Sequence, residues 1–190
     1  MNHQWQTEIW RKSIHLSGIF FLPILFWNRE FFVFLLLIFL TSYLLVEWAH
    51  RKGIRVPLLS ALTEKSKRVG EEGKLVKGPI FLVLAGMVAP YLFGIIPAAI
   101  GLAQLFVADV ASTLVGMKWG KKKIPYSKGK SWIGSLAFFI SATFVSSFFV
   151  PLPQAIFLGF VGAVVESLPF PEADNLTVPF IVGLSASLLI

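Results

Sequence analysis

Residues 107–135, VADVASTLVGMKWGKKKIPYSKGKSWIGS, place one carboxylate, Asp109, inside an apolar segment that runs into a lysine-rich loop. An ionisable side chain at membrane depth is costly, so it usually has a function. The loop supplies the positive charge that a polyanion would need beside a metal-binding acid. This stretch therefore predicts membrane helices on both sides of a basic loop, and phosphate chemistry at a membrane surface.

The composition of the whole chain also indicates a membrane protein. Hydrophobic residues make up 56% of the 190 residues, charged residues only 14%, and the mean hydropathy is +0.76, far from a soluble domain. The chain has no cysteine, which excludes disulfides, zinc–thiolate sites and cysteine nucleophiles. No long polar linker divides it, so we expect a single transmembrane domain over residues 1–190. The first apolar stretch lacks a small-residue cleavage site, so we interpret it as part of the protein and not as a signal peptide.

Seven apolar stretches recur along the chain, each near the length that crosses ~30 Å of hydrocarbon. They cover residues 12–27, 31–48, 79–95, 97–117, 132–150, 153–168 and 176–190. We therefore predict an all-α integral membrane protein with about seven transmembrane helices. The sequence leaves open whether 79–117 forms two crossings or one kinked region, because Pro90 and Pro97 interrupt it.

The basic residues predict how these helices are oriented. With seven crossings, every Lys and Arg except Arg29 falls in the N-terminus, in loop 49–78 or in loop 118–131, which then share one side. By the positive-inside rule that side is cytoplasmic. We thus expect a multi-pass protein of the cell membrane with its N-terminus in the cytoplasm and its C-terminus outside. Residues 56–70 have the pattern of an amphipathic helix on the anionic leaflet, or of a solvated connector.

Most polar residues that could carry chemistry lie at the predicted cytoplasmic ends of the helices. Arg11 and His15 share one helical face through their i, i+4 spacing. Asp109 lies about two turns inside the fourth stretch. The other candidates are Lys12, Glu47, Glu166, Asp174 and Asn175. An active site built from these residues would face the cytoplasm.

Each candidate also has a structural interpretation. The basic residues could be topology anchors, and His15 could join two helices through a hydrogen bond. Glu47 could form an i, i+4 ion pair, while Glu166 and Asp174 could be interfacial or could cap a helix. Asp109 is the hardest to explain in this way, because no Lys or Arg lies within the neighbouring apolar stretches. We therefore favour a functional role for Asp109.

The end of the basic loop has the residues of a phosphate site. Gly129 lets the backbone approach a ligand, Lys130 brings a point charge, and Ser131 with the first amides of the next helix can receive phosphate oxygens. The segment is not a Walker A loop, because the first glycine of that motif is missing and a helix precedes the loop where a strand should. The candidate phosphate site comprises Lys128, Gly129, Lys130, Ser131 and Gly134.

Five motifs occur in a fixed order along the chain: RKSIH (11–15), ADVASTLVGMKWG (108–120), SKGKSWIGSLA (127–137), VESLP (165–169) and DNLTVP (174–179). Together they resemble the polyprenol kinase family, which contains dolichol kinase, phytol kinase and the CTP-dependent diacylglycerol kinases. The resemblance spans residues 11–179, and this short chain is most similar to the compact, phytol-kinase-like members. It implies a membrane-bound lipid-alcohol kinase that uses CTP and a divalent cation such as Mg²⁺.

The residues and the resemblance together predict transfer of the γ-phosphoryl group of CTP, or of another nucleoside triphosphate, to a lipid alcohol. The acceptor would be a prenol such as phytol, geranylgeraniol or polyprenol, or diacylglycerol. Asp109 is the first candidate for a metal ligand, with Glu166 or Asp174 as the second. The Arg11–Lys12 pair would neutralise the transferring phosphate, and Asp109 or His15 would be the base.

Three other interpretations are left open. A CTP-dependent phosphatidate cytidylyltransferase is related, although the long C-terminal signature of those enzymes is missing. A transporter or flippase would use Asp109 as a coupling residue, but its polar groups should lie near the midplane. A scaffold protein leaves Asp109 unexplained. We expect no nucleic acid partner, and the oligomeric state is not predicted, although Gly116 and Gly120 have the small-xxx-small spacing of helix contacts.

Overall fold

Helices account for most of the residues that the computed structural model describes, which are 3–54, 75–170 and 173–190. The strand-like contact in these ranges is an isolated antiparallel bridge between Lys123 and Ser131. The prediction of an all-α protein is therefore confirmed. The amphipathic helix predicted over 56–70 lies outside the described residues.

The helices follow the predicted apolar stretches in order. The first runs over His3–Ser17 (α1) and continues through a 3₁₀ turn, Gly18–Phe21, into Leu22–Trp27 (α2). The others are Arg29–Arg51 (α3), Gly78–Leu92 (α4), Ile95–Ala103 (α5), Asp109–Trp119 (α6), Trp132–Ser146 (α7), Leu152–Ser167 (α8) and Asp174–Ser187 (α9). A π-helical turn, Gln104–Ala108, joins α5 to α6, so that Ile95–Trp119 is one continuous helical rod.

Three of the described helical segments are long and apolar enough to cross a membrane by length and composition. They are Trp5–Trp27, Arg29–Arg51 and Ile95–Trp119. The helices Gly78–Leu92, Trp132–Ser146 and Leu152–Ser167 are apolar but shorter. At 1.5 Å per residue a 15-residue helix covers about 22 Å, less than the ~30 Å of a hydrocarbon core. The helices fit seven crossings in number, and their orientation in a membrane stays a prediction.

Gly94 separates α4 from α5 as two antiparallel helices. Its φ of 91° lies in the left-handed region, which glycine adopts without steric cost. Near the start of α9, Asn175 donates its Nδ2–H to the carbonyl of Gly78 at the start of α4, at 3.0 Å. Near the end of α9, Gly183 lies beside Pro97 at the start of α5. Because α4 is parallel to α9 and α5 antiparallel, the region 79–117 contains two helices and not one kinked helix.

The rod Ile95–Trp119 forms the centre of the bundle. In its most apolar stretch 78% of the residues are buried, compared with 11% for Trp5–Trp27 and 22% for α3. On one side Ile100 and Ala108 pack in a core with residues of α7, α8 and α9, and on the other Leu102 packs with α2 and α3. Asp109 therefore belongs to the most buried of these three segments.

The contacts give the bundle two chemically different ends. At one end Phe26 stacks on Phe149 with ring centroids 6.1 Å apart, and the Tyr91 hydroxyl donates to Glu30 at 2.5 Å. The other end gathers α1, the loop between α6 and α7, the end of α8 and the start of α9. We call this second end the site end, because it holds most of the residues that the sequence marked as candidates.

Candidate functional site

Asp109 forms a buried ion pair with Lys12. Its Oδ2 accepts a hydrogen bond from Nζ of Lys12, and the two side chains are 9% and 11% exposed. The expectation that Asp109 lacks a basic partner was wrong, because α1 supplies one from 97 residues earlier in the chain. One turn further along α1, His15 Nδ1 lies 3.9 Å from the same oxygen. Among the described residues, no donor reaches Asp109 Oδ1.

A close approach of the first helix to the central rod makes this pair possible. Gly18, just after α1, faces the ring of Phe106, and a Cβ at that position would lie only 2.5 Å from a ring carbon. Within the same π-helical turn, Gln104 is fully buried and donates its Nε2–H to Ser146 on α7 at 3.0 Å. Such π turns change the direction in which the following residues project and are frequent at functional sites. Here the turn ends directly before Asp109.

Lys130 is the second inward-facing cation of the site end. Its Nζ lies 2.6 Å from Oδ2 of Asp174 and 3.3 Å from Oε1 of Glu166. The same ammonium group donates to the main-chain carbonyl of Glu166. Lys130 therefore joins the basic loop to the end of α8 and to the start of α9.

The backbone of the basic loop turns Lys130 inward. A bridge between Lys123 and Ser131 closes the neck of the loop. Next to it, the N–H of Ile124 donates to the carbonyl of Lys130 at 2.9 Å, and the Ile124 side chain is buried. Gly129 has φ 91°, a conformation that L side chains rarely adopt, and it reverses the chain just before Lys130.

Ser131 has a structural task at the start of α7. Its side chain accepts the N–H of Gly134 at 3.2 Å, which is the geometry of an N-cap. Gly116 and Gly120, which the sequence marked for helix contacts, lie close to Ser131 of the same chain. A Cβ on Gly116 would lie 3.1 Å from the Ser131 hydroxyl, and one on Gly120 would overlap Ser131. Lys128, by contrast, is exposed.

Glu166 links three helices through its carboxylate and is only 4% exposed. Oε1 accepts from the hydroxyl of Ser112 on α6 at 3.1 Å, and Oε2 accepts from the hydroxyl of Ser135 on α7 at 3.3 Å. Neither serine was among the candidates that the sequence patterns indicated. A signal existed for Ser112, since it follows Asp109 by three residues and so lies on the same face of α6.

The cluster at the site end carries more negative than positive charge. Three carboxylates face two ammonium groups: Asp109, Glu166 and Asp174 against Lys12 and Lys130. Burial raises the pKa of Asp174 to about 6; Lys130 opposes this rise and the other two carboxylates add to it. Burial alone would lower the pKa of Lys130, but Glu166 and Asp174 outweigh burial and hold that pKa above its usual value. Lys130 therefore stays charged, and the cluster can accept a further cation.

Two carboxylate oxygens of the cluster have no hydrogen-bond donor among the described residues and can serve as ligands for such a cation. Asp109 Oδ1 has no donor among the described residues, and Asp174 Oδ1 is buried without a hydrogen-bond partner. Within the described ranges no group of three or more His, Asp or Glu could hold a metal ion. Mg²⁺, however, usually takes one or two carboxylates and completes its octahedron with phosphate oxygens and waters. The residues present therefore fit Mg²⁺ that arrives with a polyphosphate.

The remaining candidates contact other parts of the bundle. Arg11 pairs with Glu8 on its own helix, with Nη1 and Oε1 3.1 Å apart, so α1 directs Lys12 and His15 to Asp109. Glu47 is buried near the end of α3. Asn175 ties α9 to α4 through the Gly78 carbonyl, which is a structural contact.

Comparison with known proteins finds plant phytol kinases. Over 206 aligned residues the chain is 31% identical to phytol kinase 1, chloroplastic, of Arabidopsis thaliana, which covers 96% of this chain and 67% of that protein. It is 28% identical to the probable phytol kinase, chloroplastic, of Triticum aestivum, over 97% of this chain and 68% of the wheat protein. It is 33% identical to probable phytol kinase 3, chloroplastic, of Glycine max, over 73% of this chain and 49% of the soybean protein.

The chain thus spans about two thirds of the Arabidopsis and wheat proteins. No family model matches it. Among solved structures, none gives a significant match.

Proposed function

Because the chain belongs to the polyprenol and phytol kinase family, we propose that it is a membrane lipid-alcohol kinase. It transfers the γ-phosphoryl group of CTP, or of another nucleoside triphosphate, to a prenol or to diacylglycerol. The observation that carries this proposal is the buried cluster at the site end, where two inward ammonium groups meet three carboxylates, two of which keep an open oxygen. Phytol, the substrate in the names of the relatives, is the first acceptor to test.

Lys130 and Lys12 neutralise the phosphates in this proposal. Phosphoryl transfer depends mainly on positioning and on charge neutralisation, because the protein itself need form no covalent bond. Lys130 is held in place beside Asp174, and Lys12 beside Asp109, so both ammonium groups are already oriented before a nucleotide binds. Because Arg11 pairs with Glu8 on its own helix, we give this task to Lys12 and not to its neighbour.

Asp109 and Asp174 would hold Mg²⁺ through their open oxygens. When bound, the ion would neutralise phosphate charge that the two lysines leave uncompensated. The choice of Asp174 over Glu166 as the second ligand rests on hydrogen bonding, since both oxygens of Glu166 already accept hydroxyl donors.

His15 is the proposed base. The oxygen of the lipid alcohol forms a bond to the γ-phosphorus, the bond from that phosphorus to the β,γ-bridging oxygen breaks, and the hydroxyl proton passes to His15. His15 Nδ1 is buried without a hydrogen bond and lies 3.9 Å from Asp109 Oδ2. Asp109 is less suited to this role, because Lys12 occupies its Oδ2 and the metal would take Oδ1.

The site end faces the cytoplasm in this proposal, as the distribution of Lys and Arg predicts. The acceptor stays in the bilayer, with its hydroxyl at the level of the headgroups and its chain between or beside apolar helices. Large apolar side chains are exposed along the bundle, among them Phe34 and Ile140, and they suit contact with lipid tails. A kinase built from membrane helices therefore never has to extract its substrate from lipid.

The test is a transfer assay with purified protein in detergent, Mg²⁺ and γ-³²P-labelled nucleotide. Each of the four nucleoside triphosphates is offered with phytol, geranylgeraniol, polyprenol and diacylglycerol. All four donors are needed because the choice of CTP rests on the family resemblance alone. Asp109→Asn removes a proposed ligand with little change in volume. Glu30→Gln, at the opposite end of the bundle, is the matched control.

Label in a lipid monophosphate that disappears in Asp109→Asn and persists in Glu30→Gln would support the kinase. A folded wild-type protein that labels none of these lipids with any nucleotide would refute it. A second arm offers phosphatidic acid with α-labelled CTP, and a CDP-lipid product there would instead establish a cytidylyltransferase.

A further inference from the structure

Glu166 differs from the other two carboxylates of the cluster in having every carboxylate oxygen engaged. Ser112 donates to Oε1 and Ser135 to Oε2, at 3.1 and 3.3 Å. The Nζ of Lys130 lies 3.3 Å from Oε1 and also bonds to the main-chain carbonyl of the same residue. Asp109 and Asp174 each leave one oxygen open in the described part of the chain.

These contacts fix the carboxylate from three directions. Ser112 lies on the central rod, Ser135 on α7, and Glu166 itself near the end of α8. A cation that binds Glu166 would have to share the carboxylate with the two serine hydroxyls and the Lys130 ammonium. The contacts of Glu166 thus favour holding the Lys130 ammonium in place.

We propose that Glu166 is a positioning residue that places the Lys130 ammonium for the phosphates of the nucleotide, with Ser112 and Ser135 fixing the orientation of its carboxylate. The inference rests on the proposed function and deepens it, because it names the groups that prepare the phosphate-binding cation. It also removes Glu166 from the set of candidate metal ligands.

A held lysine binds phosphate better than a free one. The flexible four-carbon side chain of lysine loses rotamer entropy when it is fixed. Glu166 and Asp174 already impose that order in the protein, so the nucleotide does not have to. The neighbouring Lys128 is exposed on the same loop and has no such anchors within the described residues.

The experiment measures equilibrium binding of radiolabelled nucleotide together with the transfer kinetics, in Glu166→Gln, Lys130→Met and the double variant. Glu166→Gln should raise the Kd and the KM for nucleotide about 10-fold, while the Mg²⁺ concentration for half-maximal activity at saturating nucleotide stays unchanged. Since Glu166 acts through Lys130, adding Glu166→Gln to Lys130→Met should change the Kd no further. A full additional 10-fold loss in the double variant would overturn the proposal.

A metal-ligand role predicts a different pattern. Then Glu166→Gln would raise the Mg²⁺ requirement at least 10-fold, as Asp174→Asn should, and this outcome would also overturn the proposal. A merely structural role would lower the Tm and leave the nucleotide Kd of the folded protein unchanged, which counts against it as well.

The serines provide a variant that leaves all charges in place. Ser112→Ala/Ser135→Ala should raise the nucleotide Kd about 3-fold, and no change in Kd would refute their part in the proposal. Ser141→Ala is the matched control, because within the described part of the chain that hydroxyl bonds only to the Ala137 carbonyl of its own helix. If the wild-type protein binds nucleotide but phosphorylates no lipid, the kinase proposal fails while the Kd values still decide the role of Glu166.

Discussion

Lys12 and Asp109 lie 97 residues apart in the sequence and form one buried ion pair at the site end of the bundle. The pair couples the first helix to the central rod. The Asp109 oxygen that accepts from Lys12 also lies 3.9 Å from His15 Nδ1. The same two residues therefore form the buried pair and belong to the proposed site, and mutation can separate their contributions to stability and to transfer activity.

Removing one member of the pair should cost more stability than removing both. Lys12→Met leaves a buried carboxylate unpaired, and breaking a buried pair in this way typically costs about 3–5 kcal/mol. Lys12→Met/Asp109→Leu leaves no buried charge of the pair, so it should recover part of that loss. Thermal unfolding in detergent measures both. A double variant less stable than either single variant would contradict this account, and all three should lack transfer activity.

His15→Gln should lower kcat for phosphoryl transfer by about 10²–10⁴-fold, the usual contribution of a general base. The KM for nucleotide should change little, because the proposed phosphate contacts come from Lys12 and Lys130. Steady-state kinetics at saturating lipid measure this. Ser13→Ala, an exposed change on the same helix, serves as control. A His15→Gln enzyme with unaltered kcat would assign the proton to another group.

Asp174 should make stability depend on pH in the absence of metal. Its pKa is raised to about 6 from an ordinary 3.8, mainly by burial, so the folded protein binds that proton more tightly than the unfolded chain does. The resulting stabilisation is complete below pH ~4 and is lost as the pH rises through 6, a change of roughly 3 kcal/mol.

Unfolding of wild-type protein and of Asp174→Asn, measured with a chelator from pH 4 to 8, tests this dependence. The stability of the wild type relative to the variant should fall with rising pH and level off above pH 7. Added Mg²⁺ should move the midpoint to lower pH, since the ion binds the deprotonated carboxylate. A relative stability that rises with pH would contradict the raised pKa.

Ser131→Ala should cost about 1 kcal/mol of stability through loss of the α7 cap. Ser131→Asn, which can still accept the Gly134 N–H, should lose much less. The nucleotide KM should move little in either variant, because the hydroxyl is engaged with its own helix. Thermal unfolding and nucleotide titration separate the two effects. A 10-fold rise in KM at unchanged Tm would show that Ser131 contacts phosphate directly.

Much of the architecture follows from local patterns. The lengths of the apolar stretches located the helices, and Asp109 and Lys130 stood out because a charge at membrane depth and a Gly-Lys turn are visible in a single short stretch. Pro90 and Pro97 left open whether 79–117 is one kinked helix or two helices, and the turn at Gly94 separates two. A residue with φ 91° reverses the chain there, whereas a proline inside a helix indicates a bend and gives no direction for the next helix.

The pairing of the site could not be predicted in the same way. Lys12 and Arg11 are adjacent and chemically alike, and only the rotation of α1 against the central rod decides which of them meets Asp109. Ser112 and Ser135 resemble the many serines that pack membrane helices, until Glu166 is placed between them. The sequence marked Ser131 only as a phosphate contact, and the distance from its hydroxyl to Gly134 N shows that it also caps α7.

The wide sequence separation of Lys12 and Asp109 also sets an order of events during synthesis. The first helix leaves the ribosome before the central rod has been synthesised, so Lys12 at first has no Asp109 to pair with. The lysine lies in the second half of α1, where a long side chain can reach toward the lipid headgroups until Asp109 arrives. Insertion of the central rod would then bring Asp109 to the amine, so the proposed site would be assembled only after the rod has been synthesised.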